Sequence, residues 1–566
     1  MLCTFKPSIK EAIMFKKTKE PQLNIFSSPS SLFSGKSQKM YDDKAAWHNQ
    51  FRQHVTSQID ENSFKPLYCS NNGTPNAPIR VLIAMMILKE AEGLSDQKLF
   101  ENCRFNMLAR SAIGLVNADD NVPTDSTYYL FRKRIVDYEK AGNENLLDIV
   151  FSQVTKKQCI DFEVSGKRIR MDSKLLGSNI AWLSRYELIH ETFRLFYNEV
   201  KQFDKIDQAT TETLDELLKL EGNKIIYTCS TDEVKTRLQQ LGALIHRILP
   251  LFSTTDALHY QILKRVFGEQ FKVDENKIVV GREKEEITAQ SVQSPYDTDC
   301  TYRNKDGNQV KGYSINITES CDEGEVLNLI GHVDVRNAST SDLDFLQDDI
   351  KKVQEVFTSK VEAAHADGAY HSPDNQAFCK DTDRNIELHL HAIQGPTGRY
   401  KLDLVDNKLS VLDTVTNQFI DCEEVTNKKG MVKWRIKVEN GYRYFTQKDI
   451  DTYLVRKKIS ETPIEILQKR NNVEATIFQL AYHYPNAKSR YRGLIKHQMW
   501  ANTRCLWVNF VRLFNFMEKS RPITSFFTNN LLVSHCISCF YVFQSFVMGI
   551  FSNRYSKFPK IQFLGF

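Results

Sequence analysis

Three carboxylates stand in contexts that suit metal chemistry. Asp172 closes the strand-like RIRMD, Asp367 follows the apolar VEAAHA and precedes a glycine, and Glu474 lies within a helix-patterned segment that starts near Thr462. Two aspartates from strand ends and a glutamate from a helix are what a site for two divalent cations requires. Hard Mg²⁺ takes oxygen ligands and keeps positions open for water and phosphate. Held within about 4 Å of one another without metal, each carboxylate pair would repel by several kcal/mol at moderate effective dielectric, and a bound cation removes that conflict. Taken singly, each is one of 70 acidic residues, and an Asp at a strand end is most often a solvated turn residue, so the surroundings must decide.

The elements that must position them are legible as patterns. Around Glu474 the sequence predicts a helix from Pro463 to about Tyr482, with Thr462 as N-cap, Pro463 at the first helical position and Glu465 closing a capping box. Ile466, Val473, Ile477 and Leu480 form its apolar stripe, and Glu474 sits about 90° from the stripe's centre, aimed along the surface the helix packs on. Arg470 is one turn earlier on nearly the same side, placed to orient or shield the carboxylate. The segment FEVSGKRIRMDSK, the runs VKGYSINIT and VLNLIGHVDV, the helical SDLDFLQDDIKKVQEVF, then VEAAHADGAY and IELHLHAI alternate strand and helix, which implies a mixed α/β core.

Flanking this core, residues from Ala77 to Leu115 read as short helices, with Gly93 ending the first and Ser95 capping the second. A further helix, Ser126 to Tyr138, carries Arg132, Lys133 and Arg134, expected as a solvated face. Tyr186 to Lys284 has helical spacing throughout. Gly398 to about Arg456 is strand-like and turn-rich. The partition expected is a flexible arm at 1–43, a helical DNA-binding domain at 44–160, a catalytic core from 161–185, 290–397 and 461–522, a helical insert at 186–289, a β-rich insert at 398–460, and an apolar tail at 523–566. Trp182 is expected in the core.

With 566 residues, 41% hydrophobic and 26% charged, the chain suits several globular domains, not a fibre, a disordered polymer or a polytopic membrane protein. Twelve cysteines without regular spacing point to a reducing cytoplasm, and Cys536–Cys539 has no second pair at zinc-finger spacing. Leu531–Phe551 is interrupted by polar residues and reads as a docked tail, so no membrane partner is expected. His365, His371, His389 and His391 are close in sequence, but their spacing is not that of a zinc site. Asp334 and Asp374 are acidic neighbours, Asp334 expected near the metals on an adjacent strand. No GxxxxGK[ST] is present to bind ATP.

The net charge of +5 hides a polarity: residues 1–40 carry +5, 481–522 carry +7, 523–566 carry +3, and 41–480 carry −10. After Glu474, the basic residues Lys488, Arg490, Arg492, Lys496, Arg504 and Arg512 alternate with Tyr491, Trp500 and Trp507, which suits phosphate contacts and stacking on DNA, while for the tryptophans core packing on an amphipathic helix is the favoured reading.

The segments NAPIRVLIAMMILKEAEGLSDQKLFENCRFN and DNVPTDSTYYLFRKRI resemble the InsH-type N-terminal domain of bacterial insertion-sequence transposases. RIRMDSKLLGSNI, HADGAYHSPDN and RNNVEATIFQL, followed by KSRYRGLIKHQMWANTRCLWVNFVRL, resemble the DDE catalytic domain of the same family. The likeness runs from about Pro21 to Phe516. It implies a ribonuclease H-like core with Asp172, Asp367 and Glu474 as catalytic and metal-binding triad, Mg²⁺ as cofactor with Mn²⁺ able to substitute, and Arg470, Lys488, Arg490, Arg492 and Lys496 as DNA-binding residues. Two positions depart from the family's tyrosine, arginine, glutamate, lysine signature: Leu467 stands for the tyrosine and Ala481 for the lysine, leaving Lys488 to supply the charge. The resemblance further implies element ends and target as double-stranded DNA partners, a homo-oligomer on DNA, and a bacterial cytoplasm with nucleoid association. A catalytically silent DNA-binding protein and a nuclease without strand transfer stay open beside the transposase reading.

Overall fold

The computed structural model describes residues 13–18, 27–70, 73–203, 205–305, 307–324, 326–393, 398–405, 408–426, 431–439 and 441–520. The chain divides into two compact units, Met1–Arg512 and Leu513–Phe566. Of the second, only residues 513–520 are described, and they end a helix that begins at Leu494. The expected tail 523–566, with Cys536–Cys539 and Leu531–Phe551, lies outside the described residues. Among those described, no helix is long and apolar enough to cross a membrane.

The N-terminal region is helical: Trp47–His54 (α1), Ile79–Glu92 (α2), Asp96–Phe105 (α3), Asp125–Lys140 (α4) and Leu146–Asp161 (α5). α2 is apolar on every side and buried along most of its length, as a central helix must be. It stops at Gly93, whose φ of 62° is left-handed and whose added Cβ would lie 2.7 Å from the His483 ring. Part of the arm expected at 1–43 is folded. Ser28 caps a turn at Pro29–Leu32, Gly35–Asp42 is helical, Tyr41 stacks on His48, and the Ala118 N–H donates to the Ser27 carbonyl. The expected solvated face of α4 holds only for Lys133. Arg134 is buried over Tyr68, and Arg132 lies against the Tyr128 and Tyr491 rings, because the guanidinium plane stacks where an ammonium would stay hydrated.

Arg185–Val200 (α6), Thr231–Ile248 (α7) and Leu258–Gln270 (α8) close on Phe193, Phe196, Leu241, Ile245 and Leu263. Trp182, expected in the core, is instead exposed, with the Lys311 ammonium 5.0 Å from its ring centre.

A six-stranded mixed sheet organises the rest: Arg168–Gly177 (β1), Thr301–Lys305 (β2), Asn308–Ser320 (β3), Ile330–Asn337 (β4), Ala363–Ala366 (β5) and Glu387–Leu390 (β6). β3 is long enough to pair β2 with its first half and β4 with its second. β3 runs antiparallel to β1 and β4, and β5 and β6 run parallel to β1, so across β4, β3, β1, β5, β6 only β3 is reversed. Leu346–Val356 (α9) packs on β4.

Two sequence boundaries change. Asp172 does not end its strand, because β3 partners β1 as far as Gly177. The final part of the β-rich stretch is a helix, Gln447–Glu461 (α10), started by a Thr446–Asp449 capping box. The strands before it form two three-stranded antiparallel sheets around Leu402, Val411, Trp434 and Ile436.

The helix expected from Pro463 is divided into Ile464–Gln468 (α11) and Asn471–Ala481 (α12). Thr462 is not its N-cap: its hydroxyl donates to the Lys458 carbonyl and finishes α10, and Pro463 takes the capping position without a side-chain bond. At the junction the Lys469 carbonyl is taken by the Arg170 guanidinium instead of the helical ladder, while Lys469 and Arg470 keep helical dihedrals. A last helix, Leu494–Lys519 (α13), follows.

Candidate active site

β5 pairs β1 only from Arg168 to Arg170 and then leaves it. That divergence opens the space beside Asp172, two residues farther along β1, and Asp367 stands at the same end, immediately after β5. Carboxyl ends of parallel strands are where α/β sheets place ligands, since the strands part there and their loops turn away. α12 lies against β1 and β3, burying Val473, Ile477 and Leu480, and this sets Glu474 at the rim with its carboxylate largely in solvent.

The three carboxylates converge on one atom. Arg470 Nη2 is 3.0 Å from Asp172 Oδ2, 3.4 Å from Glu474 Oε1 and 4.0 Å from Asp367 Oδ2. The Arg470 side chain is only 12% exposed, and its Nε has no hydrogen-bond partner. Burial pushes the Asp172 carboxyl above the usual carboxylate range; Arg470 and the Ser173 N–H oppose this, while Asp367 and Glu474 add to it. One guanidinium facing three carboxylates is an under-neutralised cluster around a point already selected for positive charge. The donor set, all carboxylate oxygens, fits a hard divalent cation.

Behind the cluster lies Glu319 on β3, which sequence reasoning missed. Its carboxylate is fully buried and accepts from Arg170 Nε at 2.6 Å, Arg512 Nη1 at 2.7 Å and the Thr476 hydroxyl at 2.9 Å. Arg170 is two residues before Asp172, and Thr476 is two after Glu474. Glu319 therefore ties the strand bearing one carboxylate to the helix bearing another. Burial alone would raise its carboxyl, but Arg512 and Arg170 hold it below the usual range. The signal was present in the sequence as a lone acid in the uncharged strand-like run YSINITES, with Arg170 at an inward position of β1.

The basic residues after α12 are placed individually. Lys488 donates to the Ile180 carbonyl at 2.8 Å, Arg490 to those of Gly93 and Leu94, and Arg492 to that of Asn179, all with exposed surface remaining. Arg504 is buried and donates to the Glu90 and Ala91 carbonyls at the end of α2, so it docks that helix. Trp500 is buried, and Trp507 packs on Trp47, Phe51 and Phe510; both are core residues. Ala481 is buried, and Leu467 is half-buried.

The other sequence candidates do not join the triad. Asp334 pairs across from Asn316, one position out of phase with Ile317, the partner of Asp172, so its side chain lies on the opposite face of the sheet. Asp374 and His391 are exposed. His365 and His389 are cross-strand neighbours whose rings stack at 4.8 Å, and burial beside His389 pushes His365 down to about 3.

Residues 39–134 match the family model of a transposase domain (DUF772). That match supports a transposase-family protein, and it covers α1 to α3 and most of α4. No curated protein and no solved structure matches the chain.

The transposase domain contributes one wall of a cavity of about 380 Å³, lined by Tyr129, Arg132 and Lys133, with Lys140 beyond the matched residues. Tyr491, Lys496 and Trp500 supply the facing wall. Burial lowers the Lys496 ammonium, and repulsion from Arg132, Lys140 and Arg492 lowers it further against the opposing pull of Asp297. Arg132, Lys133, Lys140 and Lys496 thus line the cavity together with the acids Glu90 and Asp137.

Proposed function

We propose that this protein is a metal-dependent DNA transposase that binds the terminal inverted repeats of its element, cleaves a strand at each end and joins the freed 3′-OH to target DNA. The convergence of Asp172, Asp367 and Glu474 on one cationic point carries this reading. It is supported by the transposase-domain match and by the strand order. Numbered by appearance, β1, β3, β4, β5 and β6 lie in the order 3-2-1-4-5 with only the second reversed, the arrangement expected of a ribonuclease H-like core.

In this reading the three carboxylates hold Mg²⁺, or Mn²⁺ in its place, which when bound would polarise the scissile phosphate and lower the pKa of the attacking oxygen's proton. The chain's own residues do the rest. Asp172 is fixed by β1 and by its Ser173 N–H bond, Asp367 by the start of its turn, and Glu474 by the helix that Thr476 anchors to Glu319. Arg470 must release the carboxylates as the cation enters, and its guanidinium is then free to meet a DNA phosphate beside the site. Lys488, Arg490, Arg492 and Lys496 keep the exposed surface to follow the phosphate backbone. Transposition requires two element ends and a target, so a homo-oligomer on double-stranded DNA in the bacterial cytoplasm is part of the proposal.

Purified protein incubated with labelled element ends, target plasmid and Mg²⁺ or Mn²⁺ tests it. Cleaved and joined products are expected, each falling at least about a thousandfold in Asp172→Asn, Asp367→Asn or Glu474→Gln, since metal-held charge stabilisation is worth several kcal/mol. Cleavage without joining would identify a nuclease. Binding to the ends with no metal-dependent product would identify a silent DNA-binding protein.

A further inference from the structure

A second polar cluster lies on the face of the sheet opposite Asp172. His332 and Asp334 are two residues apart on β4 and so share a face, and Asp349 descends onto them from the first turn of α9. One ligand atom from each residue lies within 4.8 Å of the other two. Asp349 is completely buried. Its Oδ2 accepts from the Thr318 hydroxyl at 2.8 Å and from the Asn316 amide, both on β3, while its Oδ1 is buried with no partner. That orphan oxygen faces His332 Nε2 at 3.7 Å, too long for a hydrogen bond. Arg336 Nε donates to Asp334 Oδ2 at 2.7 Å and fixes the orientation of that carboxylate. Asp148, in the first turn of α5, feels the charges of His332 and Asp334 and has a buried, unpartnered Oδ1 of its own.

A buried carboxylate oxygen without a donor is destabilising, and in a native fold it calls for an explanation. We propose that His332, Asp334 and Asp349 bind a divalent transition-metal ion. An imidazole among carboxylates selects a borderline cation of the zinc, iron or nickel type over Mg²⁺ or Ca²⁺. The ligand atoms must draw together to about 3–3.5 Å for bonds of roughly 2.0–2.2 Å, within reach of side-chain rotation. Its role is structural: it clamps α9 to β4. The inference does not depend on the transposase reading.

Zn²⁺ titrated calorimetrically into chelator-treated full-length protein carrying Asp172→Asn, Asp367→Asn and Glu474→Gln reads this site without the triad. One Zn²⁺ per chain is expected, with affinity falling tenfold or more in His332→Gln and in Asp349→Asn at unchanged far-ultraviolet circular dichroism. Asp349→Asn keeps the shape of the side chain. Should it fail to fold, Asp334→Asn, at a partly exposed position, must lower affinity by the same factor. No stoichiometric Zn²⁺, or an affinity that moves less than threefold in the folded variants, overturns the proposal.

Discussion

Replacing Arg470 with glutamine separates the two roles that a cation could have at the triad. At an effective dielectric of about 20, charges 3–4 Å apart attract by roughly 4–5 kcal/mol before desolvation. Asp172, with its side chain 13% exposed, receives most of that; Glu474, 61% exposed, receives about 1 kcal/mol or less after screening. Losing one partner of a buried pair costs about 3–5 kcal/mol, so metal-free Arg470→Gln is expected to lose about 3 kcal/mol. The same substitution removes the competitor for the carboxylates. Mn²⁺ affinity should therefore rise about tenfold or more, and saturating Mn²⁺ should restore most of the lost thermal stability. Scanning fluorimetry across a MnCl₂ series, with calorimetry for affinity, reads both effects. Adding Asp367→Asn should abolish the gain, which distinguishes the triad from any other Mn²⁺ site. If Arg470→Gln binds Mn²⁺ no better than the wild type, or stays destabilised at saturating Mn²⁺, the guanidinium is not standing at the cation's position.

Two further outcomes follow from the neighbouring charges. Glu319→Gln should cost about 3–5 kcal/mol by leaving Arg170 and Arg512 facing each other without a buried anion. Because the folded carboxyl is held below its unfolded value, the stability it contributes is fully present above the unfolded pKa and lost as pH falls through the folded one. Urea midpoints from pH 6 down to pH 3 should therefore drop less steeply in Glu319→Gln than in the wild type, and parallel curves would refute this. At the cavity walled by the transposase domain, Lys140→Gln and Lys496→Gln should each weaken DNA binding uniformly across sequences and reduce the slope of log K against log salt by about 1; an unchanged slope would remove the cavity from the DNA path.

Much of the architecture was legible because it rests on local signals. Gly93, Ser95 and the helical stripe of Val473, Ile477 and Leu480 act through backbone dihedrals, caps and burial, all encoded within a few residues. Asp367 and Glu474 stood out for the same reason, one just after a strand and the other beside an apolar stripe, whereas the strand end that marked Asp172 lies farther on, at Gly177. What could not be read depended on distant partners. Thr462 looks like an N-cap, yet its hydroxyl closes the preceding helix. Arg504 looks like a phosphate ligand and instead satisfies carbonyls about four hundred residues earlier in the chain. The pairing of Arg170 and Arg512 around Glu319 spans most of the catalytic sequence, and no spacing rule brings them together.

The three acidic centres on this sheet differ in how far the protein neutralises them, and that difference sorts their roles. Glu319 is one carboxylate with two guanidiniums and a hydroxyl, every buried oxygen accepting a bond, so it has no demand for a cation and serves as a joint. Asp172, Asp367 and Glu474 share one guanidinium, whose Nε is itself unpartnered and whose contact to Asp367 is 4.0 Å, an arrangement that holds until a stronger cation displaces it. Asp349 and Asp148 each have a buried oxygen with no donor among the described residues, and Arg336 is committed to Asp334 and Asp348. A designer of stability alone would have given all three the Glu319 solution. With two of them short of positive charge, on opposite faces of one sheet, the proposed cation sites are expected to be separable by substitution. Triad variants should leave the Zn²⁺ isotherm intact, and Asp349→Asn should leave the Mn²⁺ response of Arg470→Gln intact.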